Sequence, residues 1–201
     1  MIIDTIEQLR SLYAKPKPRS LAKEIQSLET HSRHFISLSP FAIVATHGAD
    51  GSTDASPRGG APGFIKVLND RRLLLPDSKG NNRLDGMTNI IETGSIGLIF
   101  LIPGVDETLR VNGRAQITTD PELLAMFDDH RHTPKTVIDI TPEQVFLHCA
   151  KALMRSALWS EEFKVARSVL PTTSKMINDQ SGASLAEESH EDMVKRYQQD
   201  L

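Results

Sequence analysis

The chain has 201 residues, 39% hydrophobic and 24% charged, with a formal net charge of −3. That is enough for one domain with a sizeable core, and the charge gives no reason to expect a nucleic-acid partner. A single cysteine, Cys149, excludes an intramolecular disulfide framework, and the longest apolar run, 96–102, is too short to span a bilayer. With no signal-peptide core at the N-terminus, a cytoplasmic protein without a membrane partner is expected.

Residues 4–14 read as an amphipathic helix stopped by Lys15-Pro16-Lys17-Pro18. Ser20 is placed to cap a second helix, with Leu21, Ile25, Leu28 and Phe35 along one face and Pro40 at its end. Strands are expected at 41–46 and 54–56, joined by a hairpin turn at Gly48–Gly51. The following stretch, 57–63, is too rich in glycine and proline for regular structure. Strands come next at 64–68 and 73–75, and Pro76 ends the second. Asn82 sits where a helix N-cap belongs, ahead of Leu84, Met87, Ile90 and Ile91. The run 95–102 has no polar face and is expected to be a central, buried strand.

The segment 107–117 alternates, with Leu109, Val111 and Ala115 facing one way and Thr108, Arg110 and Arg114 the other. Asp120-Pro121 opens a short helix, 136–140 and 144–148 read as two more strands, 150–159 has helical spacing, and 185–201 reads as a polar helix. Six or seven short strands at close spacing, interrupted by one central helix, point to a small antiparallel barrel in a mainly β, α+β chain. A doubly wound sheet is excluded because helices do not follow each strand.

Polar clusters fall at the strand ends. In Ser56-Pro57-Arg58-Gly59-Gly60, small residues let backbone approach a ligand closely and Arg58 supplies a fixed charge; a turn with a solvent arginine is the plainer alternative. In Asp77-Ser78-Lys79-Gly80-Asn81-Asn82-Arg83, a strand runs through a turn into a helix N-terminus, a natural phosphate seat flanked by Lys79 and Arg83. A capped strand-turn-helix with no ligand fits the same pattern. Glu107, Thr108 and Arg110 give a polar face to a strand that is otherwise core, so that face needs water, another subunit or a ligand. Lys151, Arg155 and Trp159 recur every four residues and share one helix face, suited to an anionic or planar ligand or to an interface. His130-Arg131-His132 lacks a third ligand at a telling spacing, so no metal is expected. His148 and Cys149 point apart on a strand and do not make a thiol nucleophile. No dinucleotide or mononucleotide phosphate loop and no serine nucleophile elbow occurs, which argues against a kinase or a hydrolase.

In order along the chain, SPRGGAPGF at 56–64, LLLPDSKGNNR at 73–83, IGLIFLIPGVDETLRVNGR at 96–114 and HCAKALMRSALW at 148–159 together resemble the pyridoxamine 5′-phosphate oxidase-related FMN-binding proteins. The likeness is closer to a subgroup of flavin enzymes than to the true oxidase. The oxidase has a more basic phosphate turn than Gly80-Asn81-Asn82, and its C-terminal segment differs from the polar stretch 187–201. The resemblance implies an FMN-binding split β-barrel over 20–165, with an N-terminal helical extension at 1–19 and a C-terminal helical tail at 166–201. It also implies a homodimer holding FMN at the subunit interface.

By the same resemblance, Ser56 and Arg58 contact the ribityl-phosphate, Asp77 runs beside the flavin ring, and Lys79, Asn81, Asn82 and Arg83 form the phosphate turn. Glu107, Thr108 and Arg110 line the ring from the partner subunit, and Lys151, Arg155 and Trp159 close the site. The implied activity is an FMN-dependent oxidoreductase with a small-molecule substrate and a nicotinamide electron donor. No catalytic acid or base is demanded, because the flavin carries the redox chemistry. A non-catalytic FMN- or haem-related binding protein, or a deazaflavin binder, on the same barrel are the alternatives.

Overall fold

The long alternating segment after residue 107 organises the molecule. In the computed structural model, which describes residues 2–128 and 133–200, it is strand β6. The order along the chain is α1 (Ile6–Ser11), α2 (Pro18–Ala22), α3 (Thr30–Leu38), β1 (Phe41–His47), β2 (Thr53–Gly59), β3 (Lys66–Asn69), β4 (Arg72–Pro76) and α4 (Asp85–Thr93). It continues with β5 (Ser95–Leu101), β6 (Thr108–Thr118), α5 (Pro121–Ala125), β7 (Val137–His148) and α6 (Lys151–Ser156), then a 3₁₀ turn (Arg167–Val169), α7 (Thr173–Ser181) and α8 (His190–Gln198). The strands form one seven-stranded antiparallel sheet in the order β2-β1-β5-β6-β7-β4-β3.

The sheet is not closed. The barrel read from strand spacing is here an open sheet whose edges are β2 and β3. Its inner face carries Val44, Leu98, Phe100, Leu109, Val111 and Val145, packed with Leu28 and Ile36 from the α3 region and Ile90 of α4. On β6 the expected alternation holds, with Leu109 and Val111 in the core. On β5 one face is buried and the other, with Ile99 and Leu101, is only half-covered, so this central strand is not enclosed on both sides. Helix α4 packs on β1, β2, β5 and β6. The buried Asn89 fastens it by donating from Nδ2 to Thr46 Oγ1 at 3.0 Å.

Four local expectations are corrected. The second helix does not run from Ser20 to Phe35. It breaks because β4 pairs with β7 only at 137–140, leaving the far half of that edge of β7 open. Ile25 takes that place, bridging Val145 with backbone bonds of 3.0 and 2.7 Å. Helix α3 then starts anew, capped by Glu29, whose carboxylate accepts from the His31 and Ser32 amides at 2.7 Å each.

Strand β2 continues through Pro57 and Arg58 to Gly59, because an edge strand tolerates a residue without an N–H. Asn82 is not the cap of α4. The helix begins at Asp85, the cap position is Leu84 in the left-handed region (φ 60°), and Asn82 is itself left-handed at φ 59°. The two strands expected at 136–140 and 144–148 are one strand, β7, with a bulge. Asn112 pairs with Gln144 and Gly113 with Pro142, so Glu143 has no opposite number and the core side passes from Ile138 and Ile140 to Val145. A side chain at Gly113 would run into the Thr141 carbonyl oxygen, so only glycine accommodates Pro142 there. The histidine segment His130-Arg131-His132 lies outside the described residues.

Between β4 and β7, Arg72 forks onto Asp139 with two 2.9 Å bonds, and Gln116 Nε2 adds a third at 3.2 Å. Burial alone would raise the Asp139 carboxyl, but the bonds from Arg72 and Gln116 outweigh it and hold it below the usual carboxylate range. A lowered carboxyl stabilises the fold above its unfolded value and loses that contribution as pH falls through its folded value. Arg72→Leu is therefore expected to cost about 1–3 kcal/mol at neutral pH, and the gap from wild type should shrink when urea unfolding is repeated at about pH 3.

Candidate functional site

Two of the sequence clusters meet across a cleft of about 1140 Å³. One wall is the end of β2 and the loop after it, residues 54 and 56–64; the other is 76–87, from the end of β4 into α4. Lys66, Thr133, Pro134, Lys135 and Asp200 complete the lining. These walls belong to opposite halves of the sheet, so the sheet must curl until its β2 edge faces the end of β4. Gly86 makes the approach possible: a Cβ placed there would lie 3.0 Å from Asp54 Oδ2 and 4.0 Å from Ser56 Oγ.

Ser56, Arg58, Asp77, Lys79, Asn81, Asn82 and Arg83 all line this cleft. Ser56 Oγ is buried and makes no hydrogen bond. Arg58 bonds the Pro57 carbonyl at 2.8 Å through one guanidinium nitrogen. In the turn, Asn81 Oδ1 accepts from the Arg83 amide at 3.0 Å, so Asn81 shapes the loop and does not cap the helix. Helix α4 has no side-chain cap. Arg83 Nε reaches Asp85 at 2.8 Å, and Lys79 is ion-paired with Asp200. Both pairs have solvent-exposed partners, so screening leaves each of them weak.

Asp77 is half-buried and bonds the Thr136 carbonyl through its amide at 3.0 Å. Burial pushes its carboxyl up, against the opposing pull of Arg58 and Lys135. A raised carboxyl in a cleft with basic neighbours is the kind of group that functional sites hold. Lys135 and Asp200 are absent from the sequence-derived set. Loop closure over the length of the chain brings them here, and no local pattern announces that.

The other two clusters do not enter this cleft. Thr108 and Arg110 lie on β6, Thr108 buried and Arg110 half-buried on the outer face of the sheet, and Glu107 is exposed just before the strand begins. The Arg110 guanidinium stacks over the Phe146 ring at 5.1 Å, while its Nε is buried without a hydrogen bond. Lys151 and Arg155 are exposed on α6, but Trp159 is not on the same helix face, because α6 ends at Ser156 and Ala157 turns left-handed (φ 47°). Trp159 instead donates from Nε1 to the Val105 carbonyl at 2.9 Å, tying this segment to the loop before β6.

Residues 28–149 match the family described as pyridoxamine 5′-phosphate oxidase. The chain belongs to this family. Among solved structures, a single-residue variant of HupZ from Group A Streptococcus is 20% identical, with 60% of this chain and 99% of that one covered and a TM-score of 0.51. A Clostridium acetobutylicum protein related to general stress protein 26, of the pyridoxinephosphate oxidase family, is 15% identical over 59% of this chain and 85% of that one (TM-score 0.44). HutZ, the heme storage protein of Vibrio cholerae, is 14% identical over 60% of this chain and 94% of that one (TM-score 0.44). At 20% identity the likeness to the HupZ variant is one of fold. No curated protein matches the chain.

The oxidase-family match spans all seven strands and every cleft-lining residue except Asp200, and stops before α6. Among the described residues, no helix is long and apolar enough to cross a membrane. Asp77 gives this family member a testable cost. A raised carboxyl favours the fold below its unfolded value, and that contribution fades as pH rises through the folded value. Asp77→Asn should therefore equal or exceed wild type in thermal stability at neutral pH, with the difference vanishing below about pH 4, where both are uncharged. A clear destabilisation at neutral pH would mean that the ionised carboxylate supports the fold.

Proposed function

We propose that this protein is a homodimeric FMN-dependent oxidoreductase that seats the flavin phosphate between Ser56–Arg58 and the Lys79–Arg83 turn. The observation that carries the reading is the meeting of these two segments in one cleft, in a chain of this family. The residues fit a phosphate. Ser56 offers a buried hydroxyl with no partner, Arg58 a guanidinium, and the turn Lys79, Arg83 and the asparagine amides. The start of α4, with no side-chain cap, adds backbone N–H groups and a favourable dipole.

Two carboxylates compete for the same cations, and magnitudes decide the outcome. Asp85 and Asp200 hold Arg83 and Lys79 in exposed, solvent-screened pairs, whereas a charge-assisted bond to phosphate in a cleft contributes about 1.5–3 kcal/mol. Arg83 can therefore exchange Asp85 for phosphate at a net gain. Once bound, a flavin supplies hydride and electron transfer at its ring. The chain's own part is to anchor the phosphate, to place Asp77 in the same cleft, and to exclude water there. A nicotinamide is the proposed electron donor and a small molecule the substrate. The lone cysteine suits a reducing, cytoplasmic setting.

The second subunit enters through the outer face of the sheet. Ile43, Ile99, Arg110 and Phe146 form one row across β1, β5, β6 and β7. That row is incompletely covered, and it holds a buried guanidinium nitrogen without a partner. A two-fold copy packed on it would bury the apolar positions and carry Glu107, Thr108, Arg110, Lys151, Arg155 and Trp159 toward the partner's cleft.

The purified protein is expected to be yellow and to release FMN on heating. Arg83→Ala should weaken FMN binding about tenfold or more with the fold intact, measured by quenching of flavin fluorescence. Unchanged affinity would leave Arg83 a surface residue, and a colourless protein that ignores added FMN would end the flavin reading. Sedimentation across a dilution series should give a dimer that persists on dilution, as expected of an interface above about 2,000 Å². Arg110→Ala should weaken both dimer and FMN affinity, whereas a monomer binding FMN at full strength would contradict a shared site.

A further inference from the structure

The segment after residue 170 is held together by its own bonds. Thr172 caps α7 and Ser189 caps α8. Ser174 Oγ donates to the Glu188 carbonyl at 3.2 Å and accepts from its amide at 3.0 Å. Asn178 exchanges two 3.0 Å bonds with Leu185, and Arg196 forks onto Glu188 at 3.0 and 2.7 Å. Neither α7 nor α8 contains a buried residue. The shape of this unit therefore comes from within it and not from burial against the sheet. Yet its end reaches the cleft, where Asp200 forms part of the lining and pairs with Lys79, 121 residues away.

We propose that the C-terminal tail is a flap over the cleft, tethered by the Asp200 carboxylate on Lys79, and that an anionic ligand group displaces this carboxylate and frees the flap. Lys79 stands in the glycine-containing turn, and its ammonium is a point charge that one anion can replace with another. The pair is also exchangeable. The side chains of Lys79 and Asp200 are 63% and 35% exposed, whereas the Asp139 carboxylate clamped by Arg72 is 8% exposed. The bonds of Thr172, Ser174, Asn178, Ser189 and Arg196 do not involve Lys79, so release leaves them intact. Asp200 thus acts as an internal competitor. It guards the anion seat when the cleft is otherwise empty and yields it to a ligand of stronger charge.

The displacement half of this inference rests on the cleft taking a phosphate; the tether half does not. The test uses the full chain carrying Cys149→Ser, with spin labels at Thr53→Cys on β2 and Glu191→Cys on α8, both exposed positions. Pulsed EPR without ligand should give one narrow distance, and Asp200→Asn and Lys79→Gln should each broaden and lengthen it. Adding FMN to the otherwise unaltered labelled chain should do the same. Flavin fluorescence titrations separate the two variants. Asp200→Asn should bind FMN about two- to fivefold more tightly, since an exposed competing pair is lost, whereas Lys79→Gln should bind it more weakly. If Asp200→Asn leaves the ligand-free distance unchanged, the tether is refuted whether or not flavin binds. If FMN binds without moving the flap, displacement is refuted. If FMN binds to no variant while Asp200→Asn opens the flap, the tether stands, and both displacement by FMN and the flavin reading fall.

Discussion

The bulge at Glu143 is the constraint on which the rest of the structure depends. Strand β7 is paired along its whole length with β6 but with β4 over only its first four residues, and between those regions it changes which of its sides faces the core. The change bends the sheet, and Pro142 against Gly113 locks the place where it happens. Ile25 fills the edge that β4 leaves bare. With β7 bent, β4 and β3 swing round to confront β2, and the cleft is the space left between them. A regular β7 would give a flatter sheet whose two ends could not share a ligand.

The cleft is built from groups that restrain one another weakly. Its two surface ion pairs are exposed, and its half-buried carboxylate, Asp77, is held against its preference for the neutral form. Leu84 and Asn82, both left-handed, bring the chain into α4 through backbone that side chains disfavour. Strain of this kind persists only where surrounding structure enforces it. Here that structure is the Asn89–Thr46 bond and the close seat of Gly86 beside β2. Stability comes from elsewhere, in the apolar inner face and the Arg72–Asp139 clamp.

Much of this was legible in the sequence where local rules suffice. The alternation of β6, the apolar β5 and the strand running into Pro76 all follow from periodicity. The cluster at Ser56–Arg58 and the turn at Lys79–Arg83 were readable as candidate ligand contacts from small residues beside an arginine and from basic residues flanking a helix start, though a plain turn and a capped helix fit the same patterns. What escaped was set by distant partners. Leu21, Ile25, Leu28 and Phe35 share a helical spacing, yet Ile25 is drawn out to bond β7, and no local signal competes with that pull. Asn82 has the chemistry of a cap but a left-handed backbone, and Asn81 takes up the loop bond instead. Trp159 keeps the four-residue interval from Arg155, but a left-handed Ala157 breaks the helix between them.

The proline in β2 bears on how the molecule keeps itself open. A sheet edge that faces the end of another strand of the same chain is under constant temptation to zip onto it, and a neighbouring molecule could supply a strand just as readily. Pro57 has no amide hydrogen to offer, and it lies in the edge strand beside the cleft. Pro76 occupies the last position of β4 on the opposite wall. Each wall thus carries a gap in its row of donors where a continuous ladder would have to form. The cleft between the walls is therefore kept from closing by the two proline rings, which withhold donors at the places where the backbones would have to pair.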